Sequence, residues 1–192
     1  MTFLTICVPP YLTNYRSRDG RIVPNDDNDR WLEPAFKQLH RVLHPHRFCV
    51  TFYGWPQADT FLQAFRAAGF RIVGHLVFTK RYTSSERFVR YQHEQAYLLA
   101  KGEPAKRKEP ISDVREWEYT GNKLHPTQKP VNPLISLIKA FSWPGEVVLD
   151  PFCGSGSTLV AARILRRPHI GIELDTNYHA AALQRLRRHR LT

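Results

Sequence analysis

Residues Val147-Val148-Leu149-Asp150-Pro151-Phe152-Cys153-Gly154-Ser155-Gly156-Ser157-Thr158 join, in twelve positions, a short apolar strand, a carboxylate, a glycine turn and a helix start. Asp150 is expected to end the strand. Gly154 and Gly156 let the backbone turn tightly and approach a ligand, and Ser157 or Thr158 opens the next helix. A dinucleotide fingerprint would need a third glycine where Leu159 stands, and a phosphate loop would need Gly-Lys-Ser or Gly-Lys-Thr, so phosphate cradling is disfavoured. Glu173 lies 23 residues beyond Asp150, at the expected end of the following strand. That is close to the roughly 20-residue spacing at which an acid reaches the hydroxyls of a ribose. A carboxylate ahead of the glycine turn suits a ligand carrying an ammonium group and repels a pyrophosphate. A nucleoside joined to an amino acid satisfies both conditions, and S-adenosylmethionine is such a molecule. The plainer alternative is that Asp150 and Glu173 only cap helices and Gly154-Ser155-Gly156 is only a tight turn. The order strand, acid, turn, helix, strand, second acid favours the ligand.

These residues need a sheet to hold them. Phe3 to Cys7 reads as a buried strand stopped by Pro9-Pro10, which cannot continue a ladder, so Tyr11 is delivered to a strand end. Asn14 to Arg30 lacks apolar periodicity and reads as a long loop of the kind that is often functional. Trp31, Leu32, Phe36, Leu39 and Leu43 predict an amphipathic helix stopping near His44-Pro45, followed by a strand from Arg47 to Tyr53. Gln57 to Ala68 is expected to be a helix closed by Gly69, Phe70 to Phe78 a strand, and Glu94 to Ala100 another strand. Lys101 to Asn122 reads as a polar linker rather than a packed element. Beyond it a helix is expected over Pro133–Phe141, a strand over Glu146–Leu149, a helix over Ser157–Arg166, a strand over His169–Glu173 and a basic helix over Asn177–Arg190. Short apolar strands alternating with helices imply a single α/β domain over residues 1–192, with a mainly parallel sheet covered on both faces. In such sheets ligands sit at the carboxyl ends of strands, where Tyr11, Asp150 and Glu173 are all expected.

Lys and Arg number 28 against 17 Asp and Glu, a net charge of +11, which points to a polyanionic partner, with nucleic acid ahead of a membrane surface. No apolar run is long enough to span a membrane and no export signal is visible, so a cytoplasmic protein is expected. The three cysteines, Cys7, Cys49 and Cys153, lack the close spacing of a zinc site or disulfide framework, so no metal is expected. Arg16, Arg18 and Arg21, within loop 14–30, and Lys80, Arg81, Arg87 and Arg90, within segment 80–92 and interleaved with Tyr82, Phe88 and Tyr91, form a candidate DNA track. Arg185, Arg187, Arg188 and Arg190 suit a solvated helix face as well as a DNA contact.

The stretch Asp150 to Thr158 resembles the cofactor motif of DNA amino-methyltransferases that modify adenine N6 or cytosine N4. His125-Pro126-Thr127-Gln128-Lys129-Pro130 is similar to the segment preceding that motif in the permuted branch of the family, where the catalytic loop comes early and the cofactor motif late. Pro9-Pro10-Tyr11 occupies that early position, and Phe52-Tyr53-Gly54-Trp55 and His93-Glu94-Gln95-Ala96-Tyr97 extend the likeness over nearly the whole chain. The resemblance implies a Rossmann-like methyltransferase fold with permuted motif order, holding S-adenosylmethionine through Asp150, Phe152, Gly154, Gly156, Ser157, Thr158 and Glu173. His125, Thr127 and Lys129 would enclose its methionine part. The alternative for His125 and Lys129 is an exposed loop.

The resemblance also implies a chemistry. An exocyclic base amine is a poor nucleophile because its lone pair is delocalised into the ring. An Asp-Pro-Pro-Tyr loop supplies a carboxylate and a backbone carbonyl that accept its hydrogens, while the aromatic ring stacks on the flipped base. Here Pro9 keeps the carbonyl, Pro10 the turn and Tyr11 the stacking face, but Val8 stands in the carboxylate's place. Losing such an oriented acceptor costs roughly 3 to 4 kcal/mol, or about a hundredfold to a thousandfold in rate. Relatives also carry a further strand before the catalytic one, whereas only Met1 and Thr2 precede Phe3. The tyrosine form of the loop favours adenine N6 over cytosine N4, and the family implies a restriction-modification or prophage setting. A homodimer is compatible with this reading. The competing one is a protein that keeps the fold and binds DNA without catalysis.

Overall fold

A computed structural model of the chain describes residues 2–17 and 20–189. Seven strands form one sheet in the order β5-β3-β4-β2-β1-β6-β7. They are β1 (Thr2–Cys7), β2 (Leu43–Phe52), β3 (Arg71–Lys80), β4 (His93–Lys101), β5 (Val114–Trp117), β6 (Val148–Asp150) and β7 (His169–Gly171). Strand β4 pairs antiparallel with both β2 and β3, and every other pairing is parallel. The expected mainly parallel α/β sheet is therefore the one that forms.

Alternation along the strands divides the core in two. Leu4, Ile6, Val50, Phe52, Phe78 and Ala96 pack on one face with Leu134, Leu137 and Ile138 of α3 (Val131–Phe141) and Ala161 and Ala162 of α4 (Ser157–Ile164). Cys7, Cys49, Leu99 and Leu149 face the other side, against Leu32, Phe36 and Leu39 of α1 (Leu32–Val42) and Phe61, Ala64 and Phe65 of α2 (Ala58–Ala67). Helix α5 (Thr176–Arg188) is capped by Asp175, whose carboxylate accepts from the N–H groups of Asn177 and Tyr178.

Two expectations are corrected. Helix α1 stops at Val42, two residues before His44, but β2 begins at once with Leu43 opposite Thr2 rather than at Arg47. The register then jumps so that Leu4 faces Phe48, which accommodates Pro45, with no N–H to give the ladder, and His46 with its positive φ of 59° in an irregular stretch. The segment 101–122 is not only a polar linker: Val114–Trp117 adds β5 beside β3, and Trp117 is buried against Phe52 and Phe78. Four residues, two of them charged in Val-Arg-Glu-Trp, make no apolar run long enough to read as a strand.

Because β4 is reversed, its first residues lie at the same edge of the sheet as the last residues of its neighbours. Tyr11 beyond β1, Gly54 beyond β2, Lys80 ending β3, Glu94 opening β4 and Asp150 ending β6 thus converge on one rim.

Candidate active site at the carboxyl edge of the sheet

Asp150 is 1% exposed, accepts the N–H of Phe152 at 3.1 Å and is hydrogen-bonded by the Thr158 side chain. Burial lifts its carboxyl to about 7, with Thr158 and the Phe152 N–H opposing the rise. The turn that follows holds Gly154 at φ 50° and Gly156 at φ 78°. A Cβ on Gly156 would lie 2.9 Å from that of Ala182 in α5, so a side chain there would push the helix from the turn. Glu173 closes the cradle from beyond β7, accepting the N–H of Gly154 at 2.8 Å and that of Asp175 at 2.9 Å. Two N–H donors leave a carboxylate with lone pairs to spare for hydroxyl donors.

One brace could not be read from the sequence. Arg185, assigned there to a solvated face or a DNA contact, instead turns inward. Its Nη1 donates to the Ser155 carbonyl at 2.8 Å, to Ser155 Oγ at 3.2 Å and to Ser157 Oγ at 3.1 Å. The side chain sits on the half-buried side of α5, and only the packing of α5 on α4 brings a residue 30 positions away onto the glycine turn.

A cavity of about 750 Å³ opens between β1 and β6, lined by Val8, Pro9, Pro10 and Tyr11 on one wall and by Phe152, Gly154 and Glu173 on the other. Its size lies within the range usual for small-molecule sites. His125 and Thr127 line it too, and His125 is packed edge-on against Tyr178 at 4.3 Å between ring centres. Burial, with Lys129 and Arg21 nearby, lowers the His125 imidazole to about 4, so it stays neutral at physiological pH and its Nδ1 accepts the N–H of Thr127. Among the described residues no group of three or more His, Cys, Asp or Glu side chains is placed to hold a metal ion. The carboxylates, positive-φ glycines and neutral imidazole fit a cationic nucleoside better than a phosphate.

Lys129 departs from its expected place. Its carbonyl accepts from Ser157 Oγ at 2.6 Å, but its ammonium points away from the glycine turn. It donates to the Tyr11 hydroxyl at 2.9 Å and to Glu94 Oε2 at 3.1 Å, while lying 5.0, 5.3 and 5.5 Å from the ring centres of Tyr11, Phe52 and Trp117. Tyr11 donates to Glu94 Oε2 at 3.2 Å, and Lys80 grips Glu94 Oε1 at 2.5 Å. Two buried lysines and one glutamate therefore clamp the Tyr11 phenol from behind. The cations hold the Glu94 carboxyl at about 2 against the opposing effect of burial, while burial and the Glu94 charge raise the phenol well above its ordinary value.

The backbone of Tyr11 is held as firmly. Asp26, 3% exposed, accepts the N–H groups of Leu12, Thr13 and Tyr15 and the Thr13 hydroxyl. Gly54 presses on the same residue: a Cβ there would stand 2.5 Å from the Tyr11 carbonyl oxygen. Gly54→Ala is accordingly expected to displace Tyr11 and lower turnover at this site at least tenfold while shifting the melting temperature by only a few degrees. Parallel turnover and thermal-melt measurements check this, and unchanged turnover would refute it.

A second cavity, about 690 Å³, shares Tyr11, Thr13, Tyr15 and Asp26 with the first and is walled by Tyr53, Trp55, Tyr91 and Glu94. Trp55 stacks on Tyr91 at 6.0 Å. Of the expected DNA track, Arg16, Arg81, Arg87 and Arg90 are exposed, Arg81 pairing with Glu116 and Arg90 with Glu86. Arg21 donates to the Asn122 carbonyl at 3.1 Å and ties its loop to segment 101–122. Lys80 does not share that exposure: it is 8% exposed and paired with Glu94. Arg18 lies outside the described residues.

A family model described as DNA methylase, for the N6/N4 class, matches residues 3–184. The chain belongs to the N6/N4 DNA methylase family. This methylase is 53% identical over 178 residues to protein YubD of Escherichia coli (strain K12), a match spanning 93% of this chain and 78% of that one. The S-adenosylmethionine complex of M1.HpyAVI superposes with a TM-score of 0.76 at 23% identity, covering 96% of the methylase and 88% of that chain. The cytosine-N4-specific PvuII DNA methyltransferase gives a TM-score of 0.78 at 17% identity, covering 96% and 79%. At these identities the two solved structures establish the fold.

Proposed function

We propose that the chain transfers a methyl group from S-adenosylmethionine to the exocyclic amine of a base in DNA, with adenine N6 as the preferred acceptor, at a rate depressed by Val8. The observation that carries this reading is the position of Tyr11, in the wall shared by a cavity that reaches Gly154 of the glycine turn and one lined by aromatic side chains. Asp150, Phe152, Gly154, Gly156, Ser157, Thr158 and Glu173 would hold the cofactor, with His125 and Thr127 closing over it. S-adenosylmethionine supplies the electrophilic methyl when bound. The protein's own part is to stack the flipped base on Tyr11 and to accept an amine hydrogen at the Pro9 carbonyl. The exposed Arg16, Arg87 and Arg90 suit phosphate contacts. DNA as partner and a cytoplasmic setting, in restriction-modification or in a prophage, complete the proposal.

Transfer of labelled methyl to unmethylated DNA, with the product resolved as N6-methyladenine or N4-methylcytosine, tests it. N4-methylcytosine alone would overturn the adenine assignment. A second reading, a DNA-binding protein without catalysis, is favoured by one observation: the carboxylates that line the cavities around Val8 and Tyr11 are already engaged. Asp26 accepts four hydrogen bonds, Glu94 is held by Lys80, Lys129 and Tyr11, and Glu173 accepts two backbone N–H groups. A total lack of transfer with retained DNA binding would select that reading.

The raised Asp150 carboxyl sets a pH dependence. Below about 7 its neutral form dominates, and a cationic ligand binds only the ionised form, so cofactor affinity is expected to strengthen severalfold as pH rises from about 6 to 7.5. Titration calorimetry across that window checks the slope. Asp150→Asn should bind more weakly and remove the dependence, and an identical slope in that variant would exclude Asp150 as its source.

A further inference from the structure

Between β3 and β4 the chain folds back as a narrow hairpin. The Ser84 N–H donates to the Tyr91 carbonyl, that of Tyr91 to Ser85 and that of Arg87 to Val89, and Glu86 bridges to Arg90 through both backbone and side chains. At its apex Phe88 is 101% exposed and Val89 59%, the phenyl ring standing wholly in water. Nothing in the fold requires an aromatic residue there. The hairpin base, through Ser84, Ser85, Arg87 and Tyr91, forms the rim of the 690 Å³ cavity behind which Tyr11 stands. Among the described residues the Arg87 guanidinium makes no hydrogen bond or ion pair, so an exposed, unpaired cation precedes Phe88 in the chain.

An apolar ring flanked by arginine, above a cavity of base-binding size, matches a particular partner. Rotating a base out of a duplex leaves a flat gap between stacked neighbours, bounded by phosphates on the outside. Phenyl rings fill such gaps by stacking, and arginine holds the adjacent phosphates. We propose that Phe88 inserts into the duplex and occupies the space vacated when the target base enters the cavity, with Arg87 anchoring the neighbouring backbone. This rests on the base-methylation reading above, and it adds a stacking wedge to the residues that read the DNA. A second copy of this chain would also cover an apolar tip, but the unpaired Arg87 and the net charge of +11 favour a polyanion.

The experiment needs no knowledge of the recognised site. Binding of the full chain is measured by fluorescence anisotropy to an intact duplex and to the same duplex with one abasic position, where the gap already exists. The wild-type chain is expected to prefer the abasic duplex roughly tenfold, in line with one stacking contact. Phe88→Ala should reduce the preference to below about twofold, and Phe88→Trp should preserve it. Arg87→Ala should weaken binding to both duplexes alike and lower the salt slope by about 1. An undiminished preference in Phe88→Ala would overturn the wedge while leaving the methylation reading intact. Absence of binding to either duplex would instead remove the methylation reading. Loss of self-association in Phe88→Ala, seen by analytical ultracentrifugation with duplex preference unchanged, would assign the tip to a contact between copies and also overturn the wedge.

Discussion

Val8→Asp is expected to raise the methyl-transfer rate by about a hundredfold to a thousandfold over the unsubstituted chain, the amount that one oriented acceptor at a reacting group contributes. Position 8 is suited to the change. It follows β1 directly, and Pro9 and Pro10 fix the backbone beyond it, so a new carboxylate would arrive already aimed. The side chain lines the cavity that also holds Tyr11, and it borders a recess shared with Lys129, whose charge would favour the ionised form. Replacing a half-buried valine by a charge should cost about 1 to 2 kcal/mol of stability, from lost packing with the α3 face of the core. Single-turnover transfer to unmethylated DNA, beside a denaturant midpoint, separates the two effects. An unchanged rate in a folded variant would show that the missing carboxylate is not what limits this chain.

Glu94→Gln is expected to be the most damaging substitution outside the cradle. Breaking a buried ion pair by removing one partner typically costs about 3 to 5 kcal/mol because the other charge is stranded, and here two lysines are stranded together. The Tyr11 phenol also loses its acceptor, so turnover should fall further than occupancy of the cofactor site. The pH profile distinguishes this from generic disruption. Glu94 is lowered from an ordinary 4.5 to about 2, so its stabilisation is complete above about pH 4.5 and is lost as pH falls toward 2. That stability loss of about 3 kcal/mol between those limits should be present in the unsubstituted chain and missing in the variant. Lys80→Met placed on Glu94→Gln should recover part of the stability by removing one stranded cation, and strict additivity of the two changes would argue against a coupled cluster.

The cradle was legible because its parts are local. Asp150, Gly154, Gly156 and Ser157 lie within eight residues, and their chemistry follows from strand, turn and helix start alone. Helix α1 and the strand after it were also readable from spacing, but their boundary was not. Pro45 reads in sequence as a helix stop, and the structure places it in a strand irregularity that only pairing with β1 reveals. The three-way clamp on Tyr11 was invisible for the same reason. Lys80, Glu94 and Lys129 come from three separate elements, and a charged residue in sequence gives no sign that the sheet will bury it. Lys80 beside Arg81 reads as part of a basic surface, yet Lys80 ends β3 facing inward to Glu94 while Arg81, just beyond the strand, faces outward to Glu116. Arg185 escaped notice similarly, being one of three arginines in the last turn of a basic helix.

The reversal of β4 has an evolutionary consequence. A parallel connection must cross back through a helical layer, whereas β3 and β4 are joined directly, by the twelve residues 81–92, at the rim that meets the ligand. A direct return of this kind can be lengthened or exchanged without changing the strand order, and each doubling of its length costs only about 0.6 kcal/mol in closure entropy. On the DNA-contact role proposed above, the preference for one sequence over another would drift in this hairpin while Tyr11 and the glycine turn stay in place.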